Sequence, residues 1–259
     1  MHPSRRRALL QIHFCVVLWG FTAILGKLIT LAALPLVWWR MLIVSGSLLL
    51  VRSFWRGLRV LQPRLIAIYA GVGVIVALHW LTFYGSIKLS NASVAATCMA
   101  LTPVFIALIE PILAKRRFDP TEVVFGLAVI PGVAMVVGGT PTGMRAGIAV
   151  GALSAFFVAI FSSLNKRYIA DANALTVTGI EMGAGMVFLT LAGLAFPPST
   201  PLFAWPELRD TWLLLALAMG CTLLPFALSL VALRQLSAFS AMLAVNLEPV
   251  DSIVLAILL

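Results

Sequence analysis

The chain has 259 residues, of which 62% are hydrophobic and only 10% charged. Soluble domains contain about 45–50% apolar and about 25% charged residues, so this composition excludes a soluble globular protein and indicates an integral membrane protein. The net charge of +9 does not indicate nucleic-acid binding, because the Lys and Arg residues stand in short clusters between apolar runs, without interleaved aromatic residues.

Apolar runs of about 20 residues recur along the chain, and each is long enough to cross the hydrocarbon layer as an α-helix. The first follows Arg5-Arg6-Arg7. Its length and the lack of a small-residue cleavage site favour a membrane helix over a secretory signal. Together the runs predict an all-α polytopic membrane protein with helices at 9–29, 34–51, 65–87, 92–114, 122–139, 145–165, 173–196, 211–233 and 238–259.

The connections between these helices differ in basic charge when they are assigned alternately to the two sides of the membrane. One side collects thirteen Lys and Arg residues and the other only three, Lys88, Arg145 and Arg209. Basic residues accumulate in cytoplasmic loops, so we expect the amino terminus in the cytoplasm.

The last apolar run repeats an earlier one. Residues 91–113 align without a gap with residues 237–259, 146 positions later, and six of the 23 aligned residues are identical. Pro103 and Pro249 occupy the same depth, and Lys88 and Arg234 precede the two runs at the same offset. An odd number of helices per copy makes the second copy enter the membrane upside down. We therefore predict two inverted-topology five-helix repeats, residues 1–140 and 141–259, with a substrate site where they meet.

Ionisable residues at mid-membrane depth are expensive to bury and mark candidate functional sites. Glu248 lies near the middle of the last run, beside Asn246, and Asp251 follows on the same helical face. Glu248 is a candidate for binding a substrate amine or a proton, or is a protonated carboxyl bonded to a neighbouring helix. Two carboxyls this close titrate as a coupled pair, which suggests proton coupling. For Asp251 alone, we prefer the interpretation that it has replaced an apolar residue and has no functional role.

The two aligned prolines are candidate hinges. Pro103 and Pro249 lack an amide hydrogen, which leaves the carbonyls of Met99 and Val245 without their usual helical donors. Such positions can bend and can open polar backbone to a cavity, or they can serve only for packing curvature.

Further candidates for substrate binding lie in the first three helices. His79 and Tyr84 could contact a substrate and Trp19 could form a wall, although a neutral His79 bonded to the next helix is equally consistent with the sequence. Lys27 and Arg40 lie near the outer ends of their helices. They either extend to the membrane interface or, if they point inward, form a cationic vestibule suited to a carboxylate.

These residues resemble the drug/metabolite transporter superfamily, in its EamA-like branch. The resemblance is carried by Trp19-Gly20 with Lys27, Arg40, the run 92–96 leading to Pro103, and Leu247-Glu248-Pro249. It implies ten helices around a central cavity and transport of small metabolites such as amino acids, without a metal or another cofactor. Family members typically have an apolar or aromatic residue at the position of Asp251, and they continue with a tenth helix. We therefore expect a ten-helix plan with nine helices present.

The expected function is a secondary transporter of small organic metabolites, in the direction of export, in the inner (plasma) membrane of a prokaryotic cell. Its expected partners are a small-molecule substrate, the lipid bilayer and a second copy in a homodimer, but no nucleic acid. Two alternatives stay open at this point: an intramembrane enzyme or lipid-handling scaffold, and a non-functional fragment of a transporter. No nucleotide-binding loop or hydrolase motif supports an enzyme.

Overall fold

The computed structural model describes residues 3–170, 172–196 and 201–247. Glu248, Pro249 and Asp251 lie outside the described residues, so their predicted roles stay predictions. The first half of the described chain forms α1 (Pro3–Leu28), α2 (Ala33–Leu49), α3 (Arg52–Val60), α4 (Pro63–Leu89), α5 (Ala92–Met99), α6 (Thr102–Leu113), α7 (Pro120–Leu127) and α8 (Ile130–Gly138). The second half forms a 3-10 turn (Thr142–Met144), α9 (Arg145–Tyr168), α10 (Ala174–Ala195), α11 (Leu208–Leu215), a π-helical segment (Ala216–Leu223), α12 (Leu224–Leu233) and α13 (Ala238–Val245).

The prediction of an all-α polytopic membrane protein is confirmed. Within the described residues, seven helical stretches are long and apolar enough to cross a bilayer. The predicted second helix is shorter: α2 has 17 residues and the chain then turns by 85° into α3.

Helix α3 is an element that the hydropathy pattern did not predict. It carries Arg52, Arg56 and Arg59 on an exposed face and buries Phe54. A short helix with this division of charged and apolar faces is suited to the surface of a membrane rather than to its interior.

Three predicted membrane helices contain an interruption, and each interruption is followed by a proline. Pro103 follows the break between α5 and α6, Pro131 follows the break between α7 and α8, and Pro225 follows the π-helical segment. Proline has no amide hydrogen and its ring crowds the preceding turn, so the regular helical hydrogen bonds cannot continue through it.

The fourth and ninth membrane helices begin in the same way. Asn91 accepts a hydrogen bond from the amide of Val94 at 2.9 Å, and Ser237, which aligns with Asn91, accepts one from the amide of Ser240 at 3.0 Å. Such caps satisfy backbone donors that a helix leaves unpaired at its start.

The basic residues before these two starts also behave alike. Lys88 donates to the carbonyl of Ile29 at 3.0 Å, and Arg234 donates to the carbonyl of Ala172. Each of these carbonyls lies in the loop after the first helix of its own half, so the aligned positions make equivalent contacts.

The helix contacts also occur in related pairs. Helix α4 packs on α9 as α12 packs on α1, and α6 packs on α9 as α13 packs on α1. Two inverted repeats with α1 equivalent to α9 would give this pairing. The division of the chain at residue 140 stays a prediction.

We call the end of the bundle where α6 ends and α13 begins the basic end, because Arg116, Arg167 and Arg234 lie there. Glu110 is fully buried at this end. Its Oε1 accepts from the amide of Ala238 at 2.9 Å and its Oε2 from the amide of Phe239 at 3.0 Å, so one carboxylate caps α13 from the other half of the chain.

Burial lowers the pKa of Arg116, but the hydrogen bonds and charges of Glu122 and Glu110 outweigh it and raise that pKa overall. The guanidinium of Arg116 therefore stays charged, and it lies 3.1 Å from Glu110.

Replacing Glu110 with Ala is expected to lower the apparent unfolding temperature of the purified protein in detergent. The substitution removes two caps from α13 and the counter-charge of Arg116, a loss of about 2 kcal/mol or more. Glu122→Ala is the matched control, because it also removes a carboxylate bound to Arg116 but no cap. Equal unfolding temperatures for the two variants would contradict the capping role.

Helices α4 and α10 approach closely at Gly73. A Cβ atom at Gly73 would lie 2.2 Å from the carbonyl oxygen of Glu181, whereas a Cβ at Gly71 would meet nothing within 4 Å. Gly73→Ala should therefore separate the two helices and cost about 1–3 kcal/mol of stability, seen as a lower unfolding temperature. Gly71→Ala on the same helix should leave that temperature unchanged.

Candidate central cavity

A cavity lies at the seam between the two halves of the chain. Its volume of about 100 Å³ holds several water molecules, since one water needs about 10–15 Å³ by this measure. Its apolar walls include five aromatic side chains, namely Trp19, Trp80, Phe83, Phe161 and Phe226. Its polar groups are Thr22, Arg40, His79, Thr102, Ser162, Asn165 and Ser229. We call this space the central cavity.

Arg40 is the cation of the central cavity. It points inward and is only 1% exposed, so of the two interpretations of its sequence position the structure shows the inward one. The guanidinium carbon lies 3.8 Å from the ring centre of Trp80, a cation–π contact. Its Nη1 donates to the hydroxyl of Tyr84 at 2.9 Å and its Nε donates to the hydroxyl of Thr222 at 2.5 Å. These contacts hold a positive charge in place beside the cavity.

The π-helical segment explains part of this arrangement. Pro225 cannot donate to the carbonyl of Cys221, and that carbonyl accepts from Nη2 of Arg40 at 3.5 Å instead. Thr222 donates back to the carbonyl of Leu217, five residues earlier, at 2.7 Å. The irregular backbone of the eighth membrane helix thus forms one side of the Arg40 site.

His79 lies between the central cavity and α9, and its predicted contact with a substrate stays a prediction. It lines the central cavity, and its Nδ1 lies 2.8 Å from the hydroxyl of Ser154 on α9. Ser154 donates to the backbone carbonyl of His79 at 2.9 Å. The pair fixes the ring between α4 and α9, and the ring centre lies 6.1 Å from that of Phe83 and 5.6 Å from that of Phe161.

The other predicted substrate residues divide into three groups. Trp19 lines the central cavity. Tyr84 is fully buried and holds Arg40 rather than forming the lining. Lys27 is exposed at the end of α1 and Asn246 is half-buried, and neither belongs to the residues that line the cavity. The structure therefore brings Arg40, His79, Trp19 and Tyr84 together but not Lys27.

Asn246 and Pro103 lie at the crossing of the fourth and ninth membrane helices. Pro103 is buried just after the break at Ala100, and Asn246 donates to the Ala100 carbonyl at 3.5 Å. Ala100 and Asn246 are 146 positions apart, the offset of the repeated runs. A contact between aligned positions of two copies is expected near the axis that relates the copies. The interruption between α5 and α6 lies just before Pro103, as a hinge at that residue would require.

Sequence reasoning missed the polar residues that α9 and α12 contribute to the cavity. Ser162, Asn165 and Ser229 lie in strongly apolar helices, and Ser162 and Asn165 are three positions apart and hence on one face. The spacing of Ser162 and Asn165 was the signal that could have identified these two residues. Within the described residues, no group of three or more His, Cys, Asp or Glu side chains could hold a metal ion.

Both the sequence and the architecture of this chain are similar to those of known proteins. A model of the EamA-like transporter family matches the chain twice, over residues 6–138 and again over residues 145–259. A solved structure titled "Crystal structure of protein" superposes with a TM-score of 0.72 at 19% identity, over 98% of this chain and 89% of that one. At this identity the likeness concerns the fold alone. No curated protein matches the chain.

Cysteine labelling can test whether water reaches the central cavity. Ser229 lines the cavity, whereas Leu224 on the same helix does not line it and is 45% exposed, and we expect an exposed apolar side chain of a membrane helix to face lipid. In a background with Cys15, Cys98 and Cys221 replaced by Ala, a charged thiol reagent should modify Ser229→Cys but not Leu224→Cys. Equal modification of the two positions would contradict the assignment of the cavity.

Proposed function

Because the chain belongs to the EamA-like transporter family, we propose that it carries small organic solutes with a carboxylate, such as amino acids, by alternating access around the central cavity. Membership of this family makes the protein a membrane transporter of small molecules. The class of solute and the mechanism are our proposal.

Arg40 is the observation that carries the proposed solute class. An arginine buried in an apolar membrane protein is costly unless it has a function or a partner. Its planar donor fork suits a carboxylate, which it can bind with two parallel hydrogen bonds. The contacts with Trp80 and Tyr84 of α4 and with Thr222 of the π-helical segment fix the side chain from two helical elements. A solute carboxylate entering the cavity would meet a pre-oriented guanidinium.

The walls of the cavity favour a solute with an apolar body. Trp19, Phe83 and Phe226 present ring surfaces to the same space as Arg40, and aromatic walls bind apolar or aromatic groups by burial and ring contacts. Amino acids with aliphatic or aromatic side chains combine such a body with a carboxylate.

The amino group of such a solute needs a hydrogen-bond acceptor, and Glu248 stays the predicted one. Counterflow by Glu248→Gln tests that role, since wild-type rates at every pH would exclude it.

Alternating access is supported by contacts that tie the two halves at both ends of the bundle. At the basic end Glu110 caps α13. At the opposite end the carboxylate of Asp210 accepts from the amide of Thr30 at 3.0 Å and from its hydroxyl at 2.7 Å. Opening either end would break one set of contacts while the other holds the halves together. Pro103 serves as a hinge in this proposal, and Pro249 remains its predicted counterpart.

We further propose that the protein lies in the inner membrane with its amino terminus and its basic end in the cytoplasm, because basic residues accumulate in cytoplasmic loops, and that it exports its solute. The enzyme alternative has little support from the cavity. His79 lines the cavity and could serve as a base. Its partner Ser154, however, is fully buried, donates its hydroxyl proton to a backbone carbonyl and does not line the cavity, so it is not placed as a nucleophile.

Substitution of the two cations predicted for a vestibule tests the proposed solute class. In proteoliposomes, Arg40→Gln should reduce counterflow of phenylalanine or leucine about 10- to 100-fold, because a hydrogen bond to a charged group contributes about 1.5–3 kcal/mol. Lys27→Gln, which removes an exposed cation outside the cavity, should retain wild-type counterflow.

Arg40→Lys separates a need for charge from a need for the donor fork, and it should recover only part of the rate. Equal losses for Arg40→Gln and Lys27→Gln, with both proteins folded, would argue against carboxylate binding at Arg40.

A further inference from the structure

Glu181 is a buried carboxyl that the proposed solute site does not use. It lies in the first third of α10 and is 0% exposed. Its Oε2 accepts a long hydrogen bond, 3.5 Å, from Nδ2 of Asn165 on α9. Its Oε1 is buried and has no hydrogen-bond partner among the described residues. A carboxylate in such a place would lack most of the donors that make a buried charge tolerable.

Asn165 has the complementary defect. Its Oδ1 is also buried without a partner among the described residues. The carboxyl and the amide therefore meet with one weak hydrogen bond and leave one acceptor each, Oε1 and Oδ1, without a donor. Buried polar groups in proteins are nearly always paired, so two orphaned acceptors on contacting side chains require an explanation.

A single proton removes both defects. If Glu181 carries it on Oε1, the carboxyl becomes a donor and can pair with Oδ1 of Asn165, while Nδ2 continues to donate to Oε2. Acid and amide then form a ring of two parallel hydrogen bonds. No charge remains buried, and every polar atom of the pair has a partner.

The surroundings of Glu181 do not offer another way to hold a negative charge. Within the described residues, no Lys or Arg nitrogen comes within 4.0 Å of its carboxylate. Helix α4 contributes Tyr69, which lies within electrostatic range of Glu181 and of Arg234 and donates its hydroxyl to the carbonyl of Tyr168.

The remaining cations on the elements around α10 are engaged elsewhere. Arg40 of α2 contacts Trp80, Tyr84 and Thr222, Arg234 after α12 donates to Ala172, and the arginines of α3 are exposed. On α9, Lys166 and Arg167 follow Asn165 and donate to the carbonyls of Leu233 and Leu113. On α4, Lys88 donates to the carbonyl of Ile29 and Arg64 is exposed.

Asn165 connects this pair to water. Asn165 lines the central cavity, whereas Glu181 does not line the cavity and contacts Asn165. Ser162 and Ser229 also line the cavity. Because Asn165 both lines the cavity and contacts Glu181, a proton that leaves Glu181 reaches cavity water past one amide side chain. We propose that Glu181 and Asn165 form a proton-binding site, which takes up one proton from cavity water and releases it to cavity water during each transport cycle. This inference rests on the proposed transport function only for its coupling to solute movement.

Infrared difference spectroscopy tests proton binding without any transport assay. Purified wild-type protein should show the carbonyl band of a protonated carboxyl that shifts in heavy water, and Glu181→Gln should lose that band. Glu122→Gln, which removes a carboxylate paired with Arg116, should keep it. Asn165→Val removes the amide acceptor, so the band should persist at a changed frequency. An unchanged band in Glu181→Gln would overturn the proposal.

Proteoliposomes with an imposed pH gradient test the coupling, with labelled phenylalanine as the probe. Glu181→Gln should retain counterflow, which needs no proton, but should lose gradient-driven accumulation by tenfold or more. Accumulation equal to that of the wild type would refute the coupling. If the wild type moves no amino acid at all, the proposed function fails, while the infrared band still decides whether Glu181 binds a proton.

Discussion

The interior of a bilayer contains no water to satisfy backbone amides and carbonyls, and this constraint governs where the helices of this protein can be irregular. The carbonyl of Cys221, left without its donor by Pro225, accepts from Arg40. The carbonyl of Ala100, at the break before Pro103, accepts from Asn246. In both cases the donor comes from the other half of the chain. At these two of the three interruptions, irregular backbone and polar side chains therefore occur together, at the seam that contains the central cavity.

Carboxylates perform a related task at the ends of the bundle. Glu110 accepts from the first amides of α13, and Asp210 accepts from Thr30 in the loop after α1. Each contact joins an acid of one half to backbone donors of the other. Three of the four donors are main-chain amides and the fourth is the hydroxyl of Thr30, so these contacts depend mainly on the relative position of the two halves. The contacts of Glu110 and Asp210 therefore depend directly on how the halves are placed, whereas Glu181, whose donor among the described residues is Asn165 of the same half, does not join the halves in this way.

The helices were largely predictable from hydropathy, because a span of about 20 apolar residues has few alternatives in a membrane. The residues Arg40 and His79 were also identifiable, since ionisable groups in apolar runs are rare, but the sequence left open whether Arg40 points inward. Helix α3 was missed because its apolar content is too low for a span. The Glu181–Asn165 pair was missed because it depends on the register between α9 and α10. Both α9 and α10 pack on α4, and α10 does so closely where Gly73 meets Glu181, so their register depends on tertiary contacts that no local pattern encodes.

The π-helical segment has a consequence for how this chain tolerates insertion and deletion. A π turn accommodates one residue more than an α turn, and each residue in a helix advances the direction of its side chains by about 100°. Deleting one residue from Ala216–Leu223 would therefore let that stretch relax to a regular α-helix while the helix after it keeps its present direction. Phe226, Ser229 and Leu230, which line the cavity, would keep their positions, and the irregular backbone beside Arg40 would be lost. A one-residue deletion should thus be far better tolerated in this segment than within α12, where it would turn every later side chain by about 100°.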